Sequence, residues 1–188
     1  MKKVIIFGGS GFLGSHVADK LTDNGFEVTI CDLQKSKYIN KNQKFLECNI
    51  LDLDEVKKAI KGSDIVYNFA ALADLNIAIK KPLETIQINV LGNTNILEAC
   101  KIFSIERFVY ASTVYVYGTE GGFYRCSKKA AEEYVKEYSK NYDLDYTILQ
   151  YGSLYGPRSD MSNGLHRIVE TAIKTGYLKY DGNPNSRR

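Results

Sequence analysis

A chain of 188 residues, 44% of them hydrophobic, is long enough to bury a sizeable core, and its length fits a single domain. The formal net charge is only +3 and the lysines are spread along the chain, so no nucleic-acid or membrane-surface partner is expected. There is no apolar run of the ~20 residues that span a bilayer; the four cysteines have no Cys-x-x-Cys spacing and only two histidines exist, so no metal site is expected either.

The N-terminal "KKVIIF" (residues 2–7) is a short β-branched run. Its apolar part is too short for the core of a signal peptide, so it is expected to be a buried strand in a cytoplasmic protein with free thiols. Residues 12–24 carry Phe12, Leu13, Val17 and Leu21 at helical spacing. Strands are expected at 26–31 and 44–48, then a short helix at 54–62 closed by Gly62, and a strand at 64–70. Residues 83–103 predict one long helix with Ile86, Val90, Ile96 and Leu97 inward. A strand at 107–112, a helix at 123–141 and a strand at 145–151 follow. Strands alternating with helices at this pitch predict an α/β fold, a doubly wound parallel sheet covered on both faces. Ligands of such a sheet bind beyond the carboxyl ends of its strands.

Two features carry chemistry at that edge. "GGSGFLG" (8–14) puts Gly8, Gly11 and Gly14 between a strand and a helix. Glycines there permit a tight turn and let backbone N–H groups around Gly11, Phe12 and Leu13 approach a pyrophosphate at the helix N-terminus. Asp32 follows the second strand about 20 residues on, where a carboxylate can bind a ribose and repel a 2′-phosphate. NAD is therefore expected rather than NADP. The second feature is Tyr124, four residues before Lys128 in "FYRCSKKAAEEY". Positions four apart share a helix face, so an ammonium can stabilise a tyrosinate. By itself this spacing fits both a surface pair and a proton-transfer device.

Seven segments in order resemble the extended short-chain dehydrogenase/reductase family, in its NAD-dependent sugar-nucleotide epimerase/dehydratase group: "GGSGFLG", "CNILD" (48–52), "NFAAL" (68–72), "NVLGNTNILEAC" (89–100), "ASTVYVYG" (111–118), "YRCSK" (124–128) and "QYGSLYGPR" (150–158). The resemblance implies a Rossmann-type domain over 1–157. It also implies that 158–188 begin a substrate region that is cut short, as in a fragment of a longer polypeptide. It implies that Gly8, Gly11, Phe12, Leu13, Gly14 and Asp32 hold the adenosine half of NAD. Asn49 and Ile50 would lie at the adenine edge, Ala70 and Ala71 under the pyrophosphate and nicotinamide ribose, and Asn89 beside the cofactor. The family usually has Asp where this chain has Asn49.

The same resemblance implies that Tyr124 removes a proton from a sugar hydroxyl while hydride passes to NAD. Lys128 would support Tyr124 and hold the ribose, and Thr113, with Ser112 as its understudy, would bond the substrate hydroxyl. Ser153 stands where many epimerases have a nucleotide-sugar contact. The 4,6-dehydratases carry an acidic pair after the Thr, where this chain has Val114 and Tyr115, and the decarboxylases usually have a Glu at the second position. An epimerase of nucleotide-sugars is therefore expected, with an NAD-dependent keto-sugar reductase and a non-catalytic NAD-binding module as alternatives. The stretch between Thr113 and Tyr124 is short for the family, and Gly121 and Gly122 could make the tight return it needs. Helices at 83–103 and 123–141 resemble those that pair family dimers as a four-helix bundle, so a homodimer is expected.

Overall fold

The computed structural model describes residues 1–178. The end of the expected substrate region, residues 179–188, lies outside them. The described chain forms two compact units, Met1–Gly152 and a second beginning at Ser153.

The first unit is a six-stranded parallel sheet: β1 (Lys3–Phe7), β2 (Glu27–Asp32), β3 (Lys44–Glu47), β4 (Ile65–Asn68), β5 (Arg107–Thr113) and β6 (Tyr146–Tyr151). The order is β3-β2-β1-β4-β5-β6, so the chain reverses direction across the sheet between β1 and β4. All five neighbouring pairs are parallel. This is the doubly wound, Rossmann-type arrangement expected from the strand–helix alternation.

β1 shows why the run is apolar throughout. Ile5 and Phe7 face one core, with Val56, Ile60, Ile96, Leu97, Phe108 and Val135. Val4 and Ile6 face the other, with Ala18, Val28 and Ile30. A strand buried on both faces has no polar side to alternate with. The helices of this unit are α1 (Phe12–Asp23), α2 (Leu53–Ile60), α3 (Leu75–Lys80), α4 (Pro82–Ile86), α5 (Asn93–Ile102) and α6 (Gly122–Tyr142). α1 covers the second core, while α2, α5 and α6 supply residues to the first.

The single helix expected over 83–103 is corrected. α4 runs into a π-helical segment, Gln87–Gly92, before α5 begins. The wider turn shifts the phase of the helix. Ile96 and Leu97 are buried as expected, but Ile86 is 53% exposed, and Asn89, Gly92 and Asn93 take the inward positions. α3 was not expected. Asp74 caps it, accepting from the N–H groups of Asn76 (2.8 Å) and Ile77 (2.9 Å).

The second unit holds α7 (Gly164–Thr175), also absent from the sequence expectation. Asn163 caps its start through the N–H of His166, and Gly176 ends it in the left-handed conformation.

Candidate active site

The turn after β1 is built by close approach. Gly8 has φ +74°, and a Cβ there would lie 2.4 Å from the backbone nitrogen of Ala70. A Cβ on Gly14 would lie 2.3 Å from the carbonyl oxygen of Gly8. Only glycine lets β1, the end of β4 and the first turn of α1 meet this tightly. α1 opens after an extended Gly11 with no side-chain cap and no acidic residue in its first turn. Its leading N–H groups and positive dipole end are left to an outside acceptor. The Ser10 hydroxyl is buried there with no hydrogen-bond partner. Asp32 is fixed beside the turn, because its carboxylate accepts the N–H of Ser10 (3.0 Å) and of Leu33 (2.8 Å).

A network of amides supports this edge. The N–H of Ala70 donates to Asn68 Oδ1 (3.0 Å), and Asn68 Nδ2 donates to Asn93 Oδ1 (2.8 Å). Asn49 uses its side chain locally, accepting the N–H of Leu51 at 3.0 Å, while its own N–H donates to Glu55 (2.7 Å). Ile50 packs over Gly92, and its carbonyl accepts from Asn95 Nδ2 (2.9 Å). Asn89, carried by the π segment, is 2% exposed. It accepts from Leu72 N–H (2.8 Å) and donates to Leu72 O (3.1 Å) and Ser127 Oγ (2.9 Å). It therefore ties the loop after β4 to α6 one residue before Lys128. Ala71 lies in that same half-buried loop.

At the carboxyl end of β5 three side chains converge. Thr113 is 4% exposed, caps the 3-10 turn Val114–Tyr117 and brings its hydroxyl beside the Tyr124 phenol. Gly121 and Gly122, both with positive φ, make the tight return into α6. A Cβ on Gly121 would press on Tyr115 Cγ at 3.2 Å and Arg125 Cβ at 3.1 Å. Lys128 Nζ donates to Ala111 O (2.8 Å), 4.8 Å from the Tyr110 ring centroid and 6.0 Å from that of Tyr124.

The electrostatics differ from the simple Tyr–Lys expectation. Burial pushes the Tyr124 phenol up to about 12, with the Thr113 hydrogen bond opposing. Burial also pulls the Lys128 ammonium down to about 7, with Glu132 opposing. Desolvation is the largest influence on both groups, because the pair sits inside the fold and not on a wet helix face.

The structure thus brings the glycine turn, Asp32, Thr113, Tyr124 and Lys128 to one edge of the sheet. Ser112 goes elsewhere: its hydroxyl donates to the Glu132 carboxylate. Ser153 opens the second unit. Ser10, Ser127 and the Asn68–Asn93 pair were not singled out from the sequence. Among the described residues no helix is long and apolar enough to cross a membrane.

Known proteins share this fold. The chain is 34% identical over 175 residues to a provisionally named UDP-glucose 4-epimerase of Methanocaldococcus jannaschii, covering 84% of this chain and 57% of that protein. It is 31% identical to a UDP-N-acetyl-alpha-D-glucosaminuronate decarboxylase of Bacillus cytotoxicus, covering 100% of this chain and 66% of that one. The fold superposes on the UDP-glucose 4-epimerase of Thermus thermophilus, a complex with NAD, with a TM-score of 0.84 and 30% identity, over 92% of this chain and 63% of that one. The chain thus spans about three-fifths of the length of these relatives. A model of the NAD dependent epimerase/dehydratase family matches residues 4–184, and with the parallel sheet, the glycine turn and the Thr113–Tyr124–Lys128 set in place, the chain belongs to that family.

Proposed function

We propose that this chain carries the NAD-binding and proton-transfer part of a nucleotide-sugar epimerase that works through a transient keto intermediate. The observation that carries the reading is the convergence of Thr113, Tyr124 and Lys128 at the strand edge that also bears the glycine turn. A dinucleotide fits the turn: Gly8 and Gly14 leave the volume, Ser10 Oγ offers an unused hydroxyl, and the uncapped start of α1 favours a pyrophosphate. Gly8, Gly11, Phe12, Leu13 and Gly14 would hold the pyrophosphate and Asp32 the adenosine ribose. Asn49 and Ile50 would flank the adenine; Ala70, Ala71 and Lys128 would line the nicotinamide side, with Asn89 bracing the loop beneath. When bound, NAD supplies a hydride acceptor that later returns the hydride.

The chain's own residues handle the proton. Tyr124, once ionised, takes it from the sugar hydroxyl, holds it on the phenol oxygen and gives it back. Thr113 orients that hydroxyl, with Ser112 behind it in the strand. Lys128, when charged, favours the tyrosinate. Val114 and Tyr115 offer no carboxylate for water elimination, which favours epimerisation over dehydration.

The α4–π–α5 edge and α6 also leave Leu83, Ile86, Leu91 and Tyr134 about half or more exposed. Ile86, Val90, Leu91 and Tyr134 line one groove there, and a second copy of this chain is its proposed occupant.

Protein made from the native gene, mixed with NAD and UDP-glucose and followed by NMR of the sugar, tests the reading. Conversion to the 4-epimer without net NADH is expected. Net NADH formation would assign the dehydrogenase/reductase reading, a 4-keto-6-deoxy product a dehydratase, and NAD binding without conversion a binding module.

A further inference from the structure

Glu132 lies one helical turn beyond Lys128 and is 5% exposed, whereas the neighbouring Glu133 is exposed. A carboxylate is rarely buried without partners, because removing it from water is costly. Glu132 has them. Its Oε1 accepts from Ser112 Oγ, and Gln150 Nε2 donates to both oxygens, at 3.0 and 3.2 Å. Gln150 in turn accepts from the Tyr117 hydroxyl.

Successive turns of α6 therefore grip three neighbouring residues of β5. Tyr124 meets Thr113, Lys128 holds Ala111 O, and Glu132 holds Ser112. Across the parallel register, Ser112 pairs with Gln150 of β6, so the same carboxylate clamps two adjacent strands.

We propose that Glu132 is the buried counter-charge of Lys128 and a positioning residue for the Thr113–Tyr124–Lys128 set, a role that rests on the reading of that set as the proton-transfer site. The titratable groups facing Lys128 are Glu132 and Tyr124 from its own helix and Tyr110 from β5. β6 brings only the neutral Gln150 to this cluster, and the π segment brings the neutral Asn89, through Ser127. Tyr110 stays protonated, since burial raises it well above the ordinary phenol range. Glu132 is thus the acidic partner that offsets the desolvation of the Lys128 ammonium. It also pins the strand from which Thr113 reaches Tyr124.

The test reads Lys128 directly in the whole chain without cofactor. Lysine labelled with 13C at Cε reports protonation by NMR, with the Lys128 signal assigned by its loss in Lys128→Met. In the wild type Lys128 is expected to titrate near neutrality. In Glu132→Gln, which keeps the size and an acceptor for Ser112, its midpoint should fall by about one pH unit or more. An unchanged midpoint in folded Glu132→Gln would overturn the proposal. Should that variant not fold, Gln150→Leu removes the amide that donates to Glu132 but leaves its charge. A midpoint within about 0.3 pH unit of wild type then supports the counter-charge role, and a fall as large as one unit overturns it. NAD titration by fluorescence on the same samples separates the two readings. A shifted Lys128 with no NAD binding would end the cofactor reading alone, whereas NAD binding with an unshifted Lys128 would end the Glu132 role alone.

Discussion

Tyr124 is where residue identity and chemistry are most tightly linked. Replacing Tyr124 by Phe removes the oxygen proposed to carry the proton and little else, since the ring keeps its packing. Turnover should fall by at least about a thousandfold, within the range attributed to a positioned acid–base group, while NAD affinity stays within a few-fold. Stopped assays beside a fluorescence titration check both halves. Asp32→Ala should weaken NAD far more than NADP, because the carboxylate that would bind the ribose also repels a 2′-phosphate; equal losses would take Asp32 off the ribose. Lys128 carries a pH signature. Its folded midpoint of about 7 lies below the ordinary value of 10.5, so between these values the unfolded chain binds more protons and stability rises with pH. The cost of burying Lys128 is therefore fully present below about 7 and fades as pH rises toward 10.5. Lys128→Met should gain most in Tm over wild type near pH 6, and the gap should narrow by about pH 9.5 in thermal melts. Tyr124, Lys128 and Asp32 were legible because type, spacing and position after a strand coincide. Glu132 was not: "AAEEY" offers two adjacent glutamates on an ordinary helix, and only packing shows that one is buried and the other wet.

At the scale of elements, the strands and most helices followed from apolar periodicity, and their bounds moved by at most two residues. The break at Gln87–Gly92 did not, because helical periodicity assumes a constant pitch. A signal did exist in the stretch: Asn89, Gly92 and Asn93 hold core-facing positions where a continuous helix would place apolar side chains. The π turn allows Asn89 to reach Leu72 and Ser127 at once, and Gly92 makes room for Ile50. A Cβ at Gly92 would lie 2.5 Å from Ile50 Cδ1. Gly92→Ala should therefore cost about 1–3 kcal/mol by overpacking, read as a lower denaturant midpoint. Adding Ile50→Val should return part of that loss. No recovery would mean that the glycine serves the backbone and not the neighbouring side chain. α3 was missed because six residues are too few to display a period, which leaves only its Asp74 cap as a mark; α7 was legible, with Leu165, Ile168, Val169 and Ile173 at helical spacing behind the Asn163 cap.

Across the whole first unit, the sheet leaves the helices on its two faces with unequal coverage. α1 covers the centre of the second core, while Val17, Leu21, Phe26, Tyr67 and Phe69 around it stay partly buried. On the other face, Leu83 (68%), Ile86 (53%), Leu91 (50%) and Tyr134 (48%) stay in water although they sit on helices whose opposite sides are buried. Full burial of such a side chain from water is worth roughly 1.5–3 kcal/mol, so each of these half-exposed side chains would gain about half of that, counted twice in a two-fold contact, against the cost of association. A two-fold contact would bring the same residues from both copies together, and a charge placed there would face its own symmetry mate. Sedimentation at tens of micromolar should therefore give twice 21.2 kDa for the wild type. Leu91→Glu should give a single copy with NAD affinity unchanged within a few-fold, because the groove lies on a helix face and the glycine turn lies at the strand ends. A wild type that sediments as one copy would remove the second copy as the occupant. A Leu91→Glu variant that loses NAD binding together with the pair would show that the helix face and the strand-end site are coupled through the π segment, since Asn89 and Leu91 share it.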